Sequence, residues 1–297
     1  MRTVISFILL VLSCLRFTAK VSALTTEMKI AVVTGANKGI GKAIASNLAT
    51  CGMFTHVILG CRDEALAKRA MDEISSKENA CNVSSHQLTI GDSESHASFY
   101  RAIEDEFGKV DVLVNNAGMA FKGSDPTPFE KQCKPTLDVN FRGTAEFTEK
   151  MLPLVRKGTD ARIVNVASMA GKLSQLRSKE LQNKFSSSDL TKEELHKLVN
   201  KFENDVKEKK HSERGWGNSN YGFSKLSLIA MTKVWAREES KNGIAVNCCC
   251  PGYCDTDMTS HRGNRSATDG AKNAVIPATM ENPPAGEYFS DYEISVW

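Results

Sequence analysis

The sequence predicts an α/β protein: a single domain on a doubly wound parallel sheet, with a helical insertion late in the chain. Three observations carry that expectation. Short apolar, β-branched runs alternate with helical patterns from residue 30 onward, and such alternation builds a parallel sheet with helices on both faces. The first run, Ile30-Ala31-Val32-Val33, leads into the glycine turn Thr34-Gly35-Ala36-Asn37-Lys38-Gly39-Ile40-Gly41, and Ile40, Ile44 and Leu48 then recur at helical spacing. Between about residues 172 and 215 the rhythm breaks into extra helix before it resumes.

In order, His56-Val57-Ile58-Leu59 reads as a second strand and Arg62 to Ser76 as a charged amphipathic helix. Gln87-Leu88-Thr89-Ile90 is expected as a third strand, Ser95 to Phe107 as a helix, and Val110 to Val114 as a fourth strand that ends in Asn115-Asn116-Ala117-Gly118. A loop with Pro126 and Pro128 leads to a long helix that contains Asn140 and ends near Pro153. Arg162 to Val166 is a fifth strand, followed by Ala167-Ser168. Inside the insertion, Thr191-Lys192-Glu193-Glu194 is a capping box, and Leu195, Leu198, Val199, Phe202 and Val206 mark one helix face. A helix from Ser219 to Glu239 carries Tyr221 and Lys225; Gly243 to Asn247 is a sixth strand before Pro251-Gly252, and Gly286 to Phe289 a short final one.

The 297 residues suit one large α/β domain, and 41% hydrophobic with 25% charged residues is ordinary for a globular protein. A formal charge of +3, with no basic block interleaved with aromatics, gives no footprint for nucleic acid. Residues 1–23 read as a signal peptide: Arg2, an apolar run from Val4 to Leu12, then Val21-Ser22-Ala23 as a cleavage site. The run is too short to span a bilayer, so no stable membrane span is expected in the mature chain. The leader implies the secretory pathway or endoplasmic reticulum; a start at Met28 would instead leave the chain cytoplasmic. Sequons at Asn82 and Asn264 are usable only on the first reading. Eight cysteines follow Cys14 without framework spacing. Cys248-Cys249-Cys250 alternate faces on a strand, which makes them poor joint ligands, so no metal site is expected.

The glycines, spaced G-x-x-x-G-x-G, let the backbone turn tightly and bring a pyrophosphate to the positive end of the following helix. Tyr221 and Lys225 lie four apart and so share a helix face, where an ammonium would lower the phenol's pKa and make it a plausible proton donor. Each motif alone is common. Together, Thr34 to Gly41, Asn115 to Gly118, Asn140, Ser168, Tyr221-Gly222-Phe223-Ser224-Lys225 and Pro251-Gly252 with Thr256 stand in the order found in short-chain dehydrogenases/reductases. The chain resembles that family over residues 28–297 and, within it, is similar to the monomeric NADPH-dependent carbonyl reductases. Asn37-Lys38, Ala120-Phe121-Lys122, Asp125 to Phe129, Cys249-Cys250-Pro251-Gly252 and the long Ser168–Tyr221 separation carry the second likeness.

The resemblance implies a Rossmann-type fold and a division of roles. Tyr221 would donate the proton, Ser168 would bind the substrate carbonyl, Lys225 would hold the nicotinamide ribose, and Asn140 would position a relay water. Gly35, Asn37, Lys38, Gly39, Ile40, Gly41, Arg62, Asn116, Pro251, Gly252 and Thr256 would join Tyr221 and Lys225 in binding the cofactor. Gly60-Cys61 is neutral where an NAD site carries an acid, and Lys38 and Arg62 favour NADPH; Asp63 reads as a helix cap. Thr89 departs from the family's acid at the adenine. Phe121, Gln132, Met169, Trp216 and Tyr253 are the expected substrate-pocket residues, and their character suits an apolar aldehyde, ketone or quinone. The insertion would cover the face through which many relatives pair, which implies a monomer. A protein that binds NADP(H) without turnover, as a sensor or scaffold, is the alternative.

Overall fold

The computed structural model describes residues 27–297, so the expected leader lies outside the described residues. The strands are β1 (Ile30–Thr34), β2 (His56–Cys61), β3 (Asn82–Gln87), β4 (Val112–Asn115), β5 (Arg162–Val166), β6 (Ala245–Cys250), β7 (Tyr288–Ser290) and β8 (Glu293–Ser295). They form one sheet in the order β3-β2-β1-β4-β5-β6-β7-β8, parallel except for the β7–β8 pair. The order reverses between β1 and β4, and that switch point is where an open α/β sheet parts its loops to admit a ligand.

Helices cover both faces. On one lie α1 (Gly39–Thr50), α2 (Glu64–Ser75) and α9 (Ala267–Thr279), with Ala31 and Val33 of β1 packing among Ile44, Leu48 and Ala274. On the other lie α3 (Ser93–Phe107), α4 (Phe129–Leu137), α5 (Thr144–Val155) and α8 (Asn220–Glu239), with Ile30 and Val32 packing among Phe99, Phe141 and Leu226. Strand alternation thus feeds two cores, which is why the central strands read as unbroken apolar runs.

The third strand differs from expectation. It occupies Asn82–Gln87, whereas Leu88 to Ile90 lie beyond its end. As the sheet's edge, β3 is only half-buried and so bears the polar sequence Asn-Val-Ser-Ser-His-Gln, which gives no apolar signal. The expected long helix is also interrupted: Asp138–Gly143 between α4 and α5 is a π-helical turn, a device common at functional sites. The strand β8 has no apolar run to announce it.

The insertion forms α6 (Lys179–Phe185) and α7 (Lys192–Lys207). Thr191 and Glu194 make the expected capping box. Leu195, Val199, Phe202 and Val206 are buried, and Phe202 stacks on Phe223 of α8 at 3.8 Å. Each such side chain contributes roughly 1.5–3 kcal/mol by burial, so the insertion is part of the core. Among the described residues, no helix is long and apolar enough to cross a membrane.

Candidate active site

At the switch point the glycine turn is clamped between strand ends. Gly35 has φ +64° and its N–H donates to the Gly60 carbonyl at 2.7 Å. Thr34 Oγ1 accepts the N–H groups of Asn116 (3.0 Å) and Ala117 (2.9 Å), and Asn116 Nδ2 donates back to the Thr34 carbonyl at 2.9 Å. A Cβ on Gly41 would lie 2.3 Å from the Gly35 oxygen, so only glycine fits there. Helix α1 starts at Gly39 with no side-chain cap, which leaves its first N–H groups for an anion. The residues therefore fit the pyrophosphate of a dinucleotide.

Where β2 ends, Cys61 is buried and its thiol, pushed up to about 11 by that burial, is neutral. Asp63 caps α2 through Leu66 N–H at 2.9 Å, as expected, and Arg62 is exposed. Lys38 is exposed too but already paired: its Nζ lies 2.6 Å from Asp257 Oδ2. Thr89, past β3, receives a hydrogen bond from Gln87 Nε2 at 3.0 Å on its hydroxyl.

On the opposite wall, α8 is capped by Ser219, which accepts from Gly222 N–H at 2.9 Å. Its first turns carry Tyr221 and Lys225. Burial pushes the Tyr221 phenol up to about 12, and a hydrogen bond with Ser168 opposes that. Burial also pushes Lys225 down to about 8, against the nearby Cys249 and Cys250. Lys225 Nζ donates to the Val166 carbonyl at 2.8 Å and sits 5.8 Å from the Tyr221 ring centroid. Burial of the phenol is the largest influence on Tyr221, and it raises the pKa where the sequence argument expected Lys225 to lower it. Asn140, fully buried in the π turn, receives Met119 N–H (2.8 Å) and donates to the Met119 carbonyl (2.8 Å) and Ser224 Oγ (3.0 Å). Its side chain thus fixes the backbone beside Lys225.

A cleft of about 360 Å³ joins the two walls, lined by Ile40, Ser168, Tyr221, Pro251, Gly252 and Thr256 among others. Phe121, Met169 and Tyr253 also line it. Two expected pocket residues do not. Trp216 is fully buried in the core, edge-on to Phe185, Phe202 and Phe223, with its indole N–H donating to Asp205 at 2.7 Å. Gln132 lies outside the cleft lining and donates to the Thr127 carbonyl at 2.7 Å.

Two features escaped sequence reasoning. Asn115 Nδ2 donates to Thr148 and Asn165 (2.8 Å each), and Asn165 Nδ2 to Thr232 (2.9 Å), a buried polar network that ties β4 and β5 to α5 and α8. Asparagine at successive strand ends was its only trace. Cys250 Sγ accepts the N–H groups of Met169 (3.1 Å) and Gly252 (3.3 Å), holding both cleft loops. Cys249 faces the other core, as strand alternation requires.

A doubly wound sheet with a phosphate-ready glycine turn at its switch point, facing a Ser–Tyr–Lys cluster, defines a dinucleotide-dependent oxidoreductase. The short chain dehydrogenase profile matches residues 29–210 and 210–267, and the chain belongs to that family. It is 38% identical to carbonyl reductase (NADPH) 1 of Pongo abelii over 284 residues, covering 92% of this chain and 100% of that one. The Homo sapiens protein of the same name is 37% identical with the same coverage. Among solved structures, salutaridine reductase from Papaver somniferum superposes with a TM-score of 0.79 at 32% identity, covering 89% of this chain and 99% of that one.

Proposed function

We propose that the protein uses NADPH to reduce an aldehyde, ketone or quinone to the alcohol, with Tyr221 as proton donor. The observation that carries this reading is the meeting of Tyr221 and Ser168 in the cleft that Ile40 of the glycine turn also lines. Gly35, Asn37, Gly39, Ile40 and Gly41 would cradle the pyrophosphate, with Lys38 and Arg62 toward the 2′-phosphate. Asn116, Tyr221, Lys225, Pro251, Gly252 and Thr256 would hold the nicotinamide half. The bound cofactor supplies the hydride.

The chain's own groups supply the proton. A phenol near 12 keeps its proton at neutral pH, which suits donation to a carbonyl oxygen. Ser168 Oγ orients that oxygen. A lysine near 8 is still mostly cationic at pH 7 and stabilises the phenolate left behind. Such a positioned acid contributes about 10²–10⁴ in rate. Phe121, Met169 and Tyr253 support an apolar substrate. NADPH oxidation over a panel of quinones, aldehydes and ketones, with Tyr221→Phe alongside, tests the reading; wild-type turnover in that variant would refute it.

The same proposal extends to assembly and location. Helix α7 packs over α4 and α8, so the chain is read as a monomer, and a stable tetramer on gel filtration would overturn this. The leader is read as secretory, with Asn82 and Asn264 both exposed. A mature N-terminus at Leu24 and an endoglycosidase-sensitive mobility shift support that; an N-terminus at Met28 removes it.

A further inference from the structure

The glycine turn and the loop after β6 are joined by the ion pair Lys38–Asp257, at 2.6 Å. Asp257 has a second claimant. Its Oδ1 lies 3.1 Å from Nε2 of His261, whose Nδ1 lies 2.7 Å from Asp255. The loop holds this arrangement with Ser260 and His261 both in the left-handed region, at φ +53° and +57°, a conformation that non-glycine residues adopt only when neighbours enforce it. Thr256, between the two acids, faces Gly39 at the start of α1. The acid therefore sits on the cation that the functional reading assigns to the 2′-phosphate.

The pair is weak by construction. Lys38 and Asp257 are 63% and 57% exposed, and solvent screens such contacts, so they exchange readily. A phosphate carries more charge and more acceptor oxygens than a carboxylate. We propose that Asp257 occupies Lys38 in the free protein and yields it to the 2′-phosphate of NADPH, with His261 receiving the released carboxylate. Asp257 is then a residue that tunes the preference for NADPH over NADH, since NADH brings nothing to displace it. The proposal rests on the NADPH-binding reading above.

A pH dependence follows. The charged groups facing His261 are Asp255 and Asp257 on its own loop and, through Asp257, Lys38 on the glycine turn. Both acids hold the imidazole's pKa above its usual 6.5. As pH falls through that titration, the imidazolium draws Asp257 away and frees Lys38. The NADPH:NADH affinity ratio therefore rises as pH falls through the raised His261 titration, before the phosphate itself takes up a proton near 6.

Fluorescence titration of the full chain with NADPH and with NADH tests this, using wild type, Asp257→Asn, His261→Gln, Lys38→Ala and the Lys38→Ala/Asp257→Asn double variant. Asp257→Asn is expected to raise the NADPH:NADH affinity ratio about two- to fivefold. In the Lys38→Ala background the same change should leave the ratio flat, and His261→Gln should abolish its pH dependence. A ratio that falls or stays unchanged in Asp257→Asn, or that rises equally without Lys38, overturns the exchange. Wild type that binds neither dinucleotide sinks the functional reading as well; wild type that binds NADPH but fails these comparisons sinks the exchange alone.

Discussion

Replacing Gly41 with alanine tests the claim that the glycine turn is a built cradle. The new methyl would lie 2.3 Å from the Gly35 carbonyl oxygen, 2.4 Å from Asn116 Nδ2 and 2.9 Å from the Gly35 carbonyl carbon. Two of those atoms are backbone, and the third is an amide already committed to Thr34 and Gly35, so no flexible side chain can give way. Overpacking of this kind costs about 1–3 kcal/mol. The higher helix propensity of alanine returns up to about 1 kcal/mol. The net loss of up to about 2 kcal/mol corresponds to a Tm lower by up to about 8 °C in a chain of this size. NADPH affinity falls further, at least about tenfold, because α1 must lift from the pyrophosphate site, and 1.4 kcal/mol of lost binding suffices for that. Differential scanning fluorimetry and NADPH fluorescence titration measure the two effects. Gly123→Ala is the control, since nothing lies within 4 Å of its Cβ position. If Gly41→Ala matched wild type in both Tm and affinity, the close-approach argument would be wrong.

Trp216→Phe checks the placement of that residue in the core: it loses the hydrogen bond to Asp205 and some packing, which lowers stability by about 1–3 kcal/mol, whereas KM for carbonyl substrates should not move. A KM shift without loss of stability would return Trp216 to the pocket. Lys225→Met separates function from stability. Burial drops the Lys225 pKa to about 8 from an unfolded value near 10.5, so between those values the unfolded chain binds the proton and the folded one does not. Stability from this group therefore rises with pH across that window, and its penalty is complete below it. Chemical denaturation from pH 7 to 10 should show the gap between variant and wild type shifting in favour of wild type as pH rises, while NADPH-dependent turnover falls by at least about a hundredfold at pH 7. A pH-independent gap would contradict the burial argument.

The sequence by itself determined the alternation of strands and helices, the glycine turn and the Thr191–Glu194 cap. These are local facts, written as periodicity, capping chemistry and short motifs. Tertiary structure decided what local patterns cannot encode. An aromatic such as Trp216 carries the same sequence signal whether it lines a pocket or fills a core, and only the packing of α7 on α8 chose the core. β3 is legible as a strand only through its edge position, since pairing on one side spares it an apolar code. The raised pKa at Tyr221 also lies beyond sequence, because Lys225 is four residues away in any helix, while the burial of the phenol comes only with the fold. Lys38 shows the division most plainly: the turn names it as a cation for phosphate, but the acid resting on it stands 219 residues away and reaches it only through the fold.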